Sequence, residues 1–117
     1  IMKEISSQKT WVKRIIALYV LRFLDSGPAH GNRMAEEMKK RSEGTMTPNP
    51  NAFYPLLRLL EERGYVISEW EHPDRRSKRI YQITKEGREV LPLLTMKVKE
   101  QIDEMEKTIR ILRKDLF

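Results

Sequence analysis

Apolar residues recur with helical spacing in two blocks near the start of the chain. Residues 10–27 are apolar over more than one face, which predicts a helix that is largely buried. Thr10 is a capping residue type at the start of this helix, and Gly27 followed by Pro28 ends it. A second, shorter helix is predicted within residues 30–42, with these side chains facing inward: Met34, Ala35 and Met38.

A third helix is predicted within TPNPNAFYPLLRLLEERGYV, residues 47–66. Asn49 can accept a hydrogen bond from a free helix amide, and Pro50 loses nothing at the first helical position, so the helix begins there. Pro55 removes one intrahelical hydrogen bond, and Gly64 ends the helix. The predicted buried face comprises Phe53, Leu56, Leu57 and Leu60, and the outward stripe comprises Asn51, Tyr54 and Arg58.

Residues 65–84 change from helical to strand-like composition. VISEW and RIYQIT are rich in β-branched and aromatic residues, and a polar segment containing Pro73 and Asp74 separates them, which predicts a β-hairpin. Its tip has no glycine, so a connecting loop longer than two residues is expected. Four basic residues crowd this tip: Arg75, Arg76, Lys78 and Arg79.

After Thr84 the apolar spacing is helical again and stays so to the end of the chain. The pattern is close to a heptad repeat, which favours pairing with another helix. Pro92 predicts a kink or a break near the beginning of this helix. We expect these residues to form a dimerisation surface: Leu94, Val98, Ile102, Met105, Ile109, Leu112 and Leu116.

The order of elements is three helices, a hairpin and a long helix. This order predicts a mainly α fold with a small β-hairpin, namely a winged helix-turn-helix domain followed by a long dimerisation helix. The third helix takes the recognition position, and the hairpin is the wing. We expect the DNA-binding domain to span residues 2–84 and the C-terminal dimerisation helix to span residues 85–117.

The charge distribution favours a polyanionic partner. The net charge is +6 and the isoelectric point is near 9.7. The excess is local, because it is concentrated in residues 1–24 and 72–79, whereas the C-terminal segment is nearly balanced. A localised basic surface predicts contact with nucleic acid more specifically than a uniformly basic protein does.

Two sets of side chains are candidates for DNA contact. The basic hairpin tip is suited to phosphate oxygens, although a solvated polar turn explains the same residues. On the third helix, Asn51 and Arg58 have the geometry that reads adenine and guanine edges, and the Tyr54 hydroxyl can bond a phosphate. Arg58 pairing with Glu62 is the alternative. Asn49 fixes the start of the helix so that its amides face a phosphate. Base reading and phosphate contact are both open for these residues.

Composition argues against several other classes of protein. Cysteine is absent and histidine occurs only twice, so disulfides and thiolate or imidazole-rich metal sites are not expected, and no cofactor is predicted. No serine lies in a nucleophile motif, and the paired acids diverge on helix surfaces, so we do not expect an enzyme. No apolar run reaches the roughly 18 residues of a membrane span. These features together predict a cytoplasmic protein without a membrane partner.

Several motifs resemble those of the PadR-like transcriptional regulators. YPLLRLLEERG, residues 54–64, resembles the Y-P-x-L-x-x-L-E-x-x-G signature of that family. HGNRM resembles the start of its second helix, and VISEW with RIYQITKEG resembles its wing. The resemblance covers roughly residues 12–91. NPNAFYP departs from the residues that more often precede Tyr-Pro in the family, and the glycine often seen near Arg75 is missing.

The resemblance implies a winged helix-turn-helix homodimer that binds double-stranded operator DNA through these elements. It also implies a repressor that small aromatic or hydrophobic compounds relieve. The rival interpretation is a winged-helix protein-interaction module, in which the basic residues of the hairpin tip bind an acidic protein partner. A steep loss of DNA binding between low and moderate salt separates the two interpretations.

Overall fold

The structure of the protein is a computed structural model that describes residues 2–72, 74 and 78–117, with the backbone alone for residues 2–10. The predicted arginines 75 and 76 of the hairpin tip lie outside the described residues. The elements, in chain order, are helix α1 (Met2–Asp25), strand β1 (Ala29–His30), helix α2 (Gly31–Arg41), helix α3 (Pro50–Glu62), strands β2 (Val66–Trp70) and β3 (Arg79–Ile83), and helix α4 (Lys85–Leu116).

The mainly helical fold with a hairpin wing is confirmed, but the sheet has a third strand that the sequence did not predict. β3 lies between β1 and β2, and both pairings are antiparallel. β1 contributes only two residues, with Ala29 opposite Tyr81 and His30 opposite Ile80. Two residues after Pro28 carry no alternating pattern, so only their distant partner strand reveals them.

α1 begins at Met2, and the prediction that it begins at Thr10 is wrong. Residues 2–10 contain no glycine or proline, so nothing in that segment interrupts the helical backbone. The prediction of a largely buried helix holds for one face, which is formed by Ile16, Ala17, Val20, Leu21 and Leu24. Another face stays open, since Val12 is exposed and Ile15, Leu18 and Tyr19 are half-buried.

The core is shared by all three helices of the domain and by the inner end of the sheet. The predicted inward residues Met34 and Met38 of α2 are buried, whereas Ala35 is half-buried and packs at the margin of the core. The predicted buried face of α3 is confirmed for all its members: Phe53, Leu56, Leu57 and Leu60. α3 therefore has one side fixed in the core, and the opposite side faces outward.

The start of α3 is built as predicted. Asn49 is the N-cap, and its side-chain oxygen accepts a hydrogen bond from the Asn51 amide at 2.8 Å. Pro50 occupies the first helical position, where its missing amide hydrogen costs nothing. The helix continues through Pro55 without a break to Glu62.

α4 is continuous from Lys85 to Leu116, so of the two predicted alternatives at Pro92, a kink or a break, the break is wrong. A proline inside a helix costs about 3 kcal/mol or more when nothing offsets it. Here the helix is held on both sides of the proline. Thr84 caps the first turn through the Gly87 amide at 3.0 Å, and Val98 is buried in the following turns, which pack on α1.

The predicted dimerisation surface divides into two parts. Val98 is only 4% exposed and Leu94 packs at the edge of the core, so the chain itself covers both residues and they do not form an open stripe. The remaining positions are 42–64% exposed: Ile102, Met105, Ile109, Leu112 and Leu116. The apolar pattern of the last helix is therefore covered within the chain at its first half and open at its second half.

Gly87 is a contact point between α4 and Tyr65, the residue that precedes β2 of the wing. A Cβ built on Gly87 would lie 2.2 Å from the carbonyl oxygen of Tyr65 and 2.7 Å from Cγ1 of Ile83. The backbone oxygen cannot move without displacing β2.

We expect Gly87→Ala to lower the free energy of unfolding by about 1–3 kcal/mol, the usual cost of overpacking. Glu89→Ala, at an exposed position of the same helix, is the control; equal stabilities of both variants by urea denaturation would contradict this contact.

Candidate nucleic-acid interface

The outward stripe of α3 is open to solvent as predicted. Asn51, Tyr54 and Arg58 are all exposed, because the opposite side of the helix is buried in the core. The Tyr54 ring packs edge-on against Phe53, with the ring centroids 5.6 Å apart. Tyr54 is therefore held by the core at its ring while it remains 38% exposed.

The first amides of α3 already have partners. The Asn51 amide donates to the side chain of Asn49, and the amides of Ala52 and Phe53 donate to the Asn49 backbone carbonyl at 2.9 and 2.8 Å. Pro50 has no amide hydrogen. These amides are predicted to face a phosphate, but they already donate hydrogen bonds within the protein. At this end of the helix, the donors that remain available are therefore side chains.

The wing presents one face towards α3. Trp70 is paired with Arg79, and Ser68 is paired with Tyr81, across the hairpin. Because side chains alternate along a strand, these four residues share a face, whereas Ile67 lies on the other face and is 54% exposed. The shared face is buried near Tyr81, which is only 7% exposed, and opens towards the Trp70 end.

Arg79 is the first residue of β3, as the predicted strand RIYQIT has it, and it is also the last of the four basic residues grouped at the hairpin tip. Its guanidinium carbon lies 4.7 Å above the centre of the Trp70 ring. Its Nε donates a hydrogen bond to the Ser68 hydroxyl at 3.1 Å. Lys78 precedes it at the mouth of the loop, where the Lys78 carbonyl accepts from the Glu71 amide at 2.8 Å. Both cations are thus anchored through a regular part of the hairpin.

A groove of about 550 Å³ separates the outward side of α3 from the wing. Four predicted contact residues line it together: Tyr54, Arg58, Lys78 and Arg79. Asn49 and Asn51 lie at the start of α3 and are not among the lining residues. The fold therefore brings the helix stripe and the base of the wing, which the sequence treated as two sets, to one surface.

The groove contains further residues that the sequence analysis did not select: His30, Gly31, Asn32, Glu61, Trp70 and Tyr81. His30 Nε2 lies 3.5 Å from a carboxylate oxygen of Glu71, and it makes no hydrogen bond within the described residues. The packing of β1, the start of α2 and the wing beside α3 brings these residues together, and a single sequence carries no local signal for that packing.

Tyr81 is an internal wall of this groove. Burial raises the pKa of its phenol above the ordinary value, and this outweighs the nearby Arg79, which lowers it. Glu61 and Tyr54 add to the increase in this pKa. Tyr81 therefore remains a neutral hydroxyl under ordinary conditions and adds no negative charge to a surface that is suited to phosphate.

The described part of the chain offers no site for a metal and no membrane span. No group of three or more histidine, aspartate or glutamate side chains within residues 2–72, 74 and 78–117 is arranged to hold a metal ion. Over the same residues, none of the helices has the length and apolar character needed to cross a bilayer.

The fold is that of a winged-helix protein, and comparisons with known proteins identify the family. The sequence model of the transcriptional regulator PadR-like family matches residues 20–92, which is more than half of the chain. The chain belongs to this family, whose members are transcriptional regulators and not enzymes.

Individual relatives agree with this assignment. The chain is 29% identical over 76 residues to transcriptional regulator Rv3488 of Mycobacterium tuberculosis, covering 65% of this chain and 68% of that protein. A PadR family transcriptional regulator from Eggerthella lenta has 26% identity and a TM-score of 0.68, with 92% of this chain and 93% of the other covered. A PadR-like transcription factor from Bacteroides fragilis has 21% identity and a TM-score of 0.66, over 90% and 98% of the two chains, and supports the fold alone.

Proposed function

We propose that the protein is a homodimeric, sequence-specific DNA-binding repressor that acts in the cytoplasm. α3 enters the major groove of operator DNA, and the wing contacts the adjacent phosphate backbone. The observation that carries this proposal is the shared groove, in which Tyr54 and Arg58 of α3 face Lys78 and Arg79 of the wing. A DNA backbone that passes along this groove meets cations from both elements at once.

The alternative partner is an acidic protein. The basic residues alone fit both partners, since each provides carboxylate or phosphate oxygens. The exposed stripe of α3 favours DNA, because Asn51 and Arg58 are residue types that form bidentate hydrogen bonds with base edges. The family assignment as a transcriptional regulator favours the same choice. Protein binding by a few ion pairs does not produce the steep salt dependence of counterion release from DNA.

The two elements should differ in what they contribute to binding. Arg58→Ala is expected to cost about 1–3 kcal/mol on the best duplex selected from random DNA and much less on random DNA, because a base edge is lost. Lys78→Ala, the matched control, should weaken binding equally on both duplexes. It should also reduce by about 1 the slope of the logarithm of the binding constant against the logarithm of the salt concentration. Fluorescence anisotropy titrations at several salt concentrations measure both quantities. If Arg58→Ala lowers the affinity equally on both duplexes, Arg58 contacts a phosphate and does not read a base edge.

The open half of α4 supports the homodimer. Ile102, Met105 and Ile109 are 42–48% exposed on one stripe of a helix that extends beyond the domain. Burying a side chain of this size is worth about 1.5–3 kcal/mol, so an uncovered stripe is unfavourable in water. The half-buried outer residues Ile15, Leu18 and Tyr19 of α1 adjoin the same stripe near Ile102. A second copy related by two-fold symmetry covers these surfaces and sets two recognition helices about 34 Å apart.

A double substitution within this stripe tests the dimer. Ile102→Asp combined with Ile109→Asp places two charges in the proposed interface, and we expect monomers and a collapse of DNA binding. Glu104→Asp with Lys107→Arg on the same helix preserves all charges and should leave the dimer intact. Analytical ultracentrifugation reports the mass of each species. A wild-type protein that is monomeric at tens of micromolar would rule out this assembly.

An apolar cleft supports the relief of repression by a small effector. It has a volume of about 530 Å³ and lies between α1, α3 and the beginning of α4. Leu21, Leu56 and Leu94 contribute to its apolar wall, and its charged lining residues among those described are all cations: Lys13, Arg14, Arg63 and Lys97. This combination is suited to a small aromatic or hydrophobic compound that carries an anionic group.

The charge of the effector can be tested without knowing its identity. A panel of aromatic carboxylates should bind and reduce DNA affinity, whereas the matched primary alcohols should bind at least about tenfold more weakly, because they lose a charge-assisted hydrogen bond. Isothermal titration calorimetry measures ligand binding, and anisotropy measures DNA release. Equal binding of acids and alcohols would assign the cleft to apolar packing alone.

A further inference from the structure

Four side chains form a continuous polar and aromatic contact between α3 and the wing. The Ser68 hydroxyl of β2 donates to a carboxylate oxygen of Glu61 on α3 at 2.5 Å. The same hydroxyl oxygen accepts from Nε of Arg79 on β3 at 3.1 Å. The guanidinium of Arg79 then lies over the ring of Trp70, 4.7 Å from its centre. Three secondary-structure elements are thus joined through the hydroxyl of Ser68, which contacts Glu61 of α3 and Arg79 of β3.

These contacts fix the arginine before any ligand arrives. An arginine side chain has about 2 kcal/mol of rotamer entropy, which it loses when it binds a phosphate in one geometry. The hydrogen bond to Nε and the stacking on Trp70 together determine the plane of the guanidinium. Neither contact uses the two terminal nitrogens, which are the atoms that form bidentate bonds with phosphate oxygens. Arg79 is therefore preorganised for such a bond.

Glu61 is the unexpected member of this surface. It lines the same groove as Arg58, Lys78 and Arg79, and a carboxylate at that place repels a nucleic-acid backbone. Simple electrostatics therefore gives Glu61 an unfavourable effect on DNA binding. Its hydrogen bond with Ser68 gives it a different role, because it orients the hydroxyl that holds Arg79. The two roles predict opposite changes in DNA affinity when the carboxylate is removed: a gain if Glu61 only repels the backbone, and a loss if it orients Ser68.

We propose that Glu61 and Ser68 are positioning residues, which hold Arg79 on Trp70 so that its terminal nitrogens meet one backbone phosphate of DNA. This inference rests on the proposed DNA-binding function and assigns a role to residues of the same groove. Glu61 does not contact the nucleic acid in this arrangement. It acts through Ser68 and Arg79, and its contribution exceeds the repulsion that its charge produces.

The experiment compares two substitutions of equal charge on one helix. Glu61→Ala and Glu62→Ala each remove one carboxylate from the end of α3, and Glu62 is exposed and not among the groove-lining residues. Binding to a random-sequence duplex of about 30 base pairs is measured by anisotropy over a range of salt. Glu62→Ala should leave affinity unchanged or raise it. Glu61→Ala should lower it about tenfold, the effect of losing a hydrogen bond to a charged group. A gain in affinity for both variants overturns the proposal.

Ser68 provides a test without any change of charge. Ser68→Ala should weaken binding to a similar extent, and Ser68→Thr, which keeps the hydroxyl, should restore it. In an Arg79→Ala background, Ser68→Ala and Glu61→Ala should cause no further loss, because they act through Arg79. Additive losses in that background overturn the proposal, since they indicate a general effect on the fold. Thermal unfolding of each variant without DNA reports such an effect directly.

The outcomes separate this inference from the proposed function. A wild-type protein that does not bind DNA with steep salt dependence contradicts the proposed function and this inference with it. A wild-type protein that binds as expected, together with additive losses or a gain in affinity for Glu61→Ala, contradicts the positioning role alone.

A fluorescence measurement tests the contact between Arg79 and Trp70 without DNA. In a Trp11→Phe background, Ser68→Ala should shift the emission of Trp70, because the stacked guanidinium is released.

Discussion

The relative orientation of α3, the wing and α4 depends on the side chain of Thr84. Its hydroxyl donates to the carbonyl of Gly64 at 2.6 Å, just after α3, and accepts from the Gly87 amide in the first turn of α4. Its backbone amide donates to the Tyr65 carbonyl, at the beginning of the wing. Gly87 allows the close approach of these segments, because any side chain there meets the Tyr65 carbonyl. One residue thus connects α3, which we propose reads DNA, to α4, which extends away from it.

The groove shows how a cationic surface can include an acid. A phosphate-binding surface made only of cations has no fixed geometry, because long basic side chains repel one another and sample many rotamers. In this protein a carboxylate, a hydroxyl and an indole ring surround one of the cations. Their spacing is set by the pairing of β2 with β3 and by the packing of α3 on the core. The orientation of Arg79 is therefore a property of the tertiary structure and not of the basic segment.

Much of the architecture was predictable because it depends on local patterns. The start of α3 follows from Asn49 and Pro50, and its buried face follows from helical spacing. The pairs that form across elements were not predictable. β1 is two residues long, and its partner lies far along the chain, so no local period marks it. Arg79 was predicted to begin the second strand of the hairpin, but the loop length leaves the register of the hairpin open, and register determines that Arg79 pairs with Trp70.

The last helix illustrates a second reason why the sequence-based prediction and the structure differ. An apolar stripe on a helix predicts that this face is buried, but it does not predict whether the same chain or a second chain buries it. Val98 is covered by α1, whereas Ile109, about three turns beyond it, is open. The pattern of spacing is the same at both positions. The difference between the two positions depends on how closely α1 packs along α4, and this is a property of the packed structure.

The uncovered second half of α4 has a consequence for dosage. If two chains must associate before DNA is bound, the amount of the binding-competent species rises more steeply than the amount of chain at low expression. A modest fall in synthesis then produces a disproportionate fall in operator occupancy. A regulator built on a helix that its own chain covers completely has no such threshold. In the proposed dimer, the length of α4 beyond Val98 thus influences how sharply a gene responds to the abundance of its regulator.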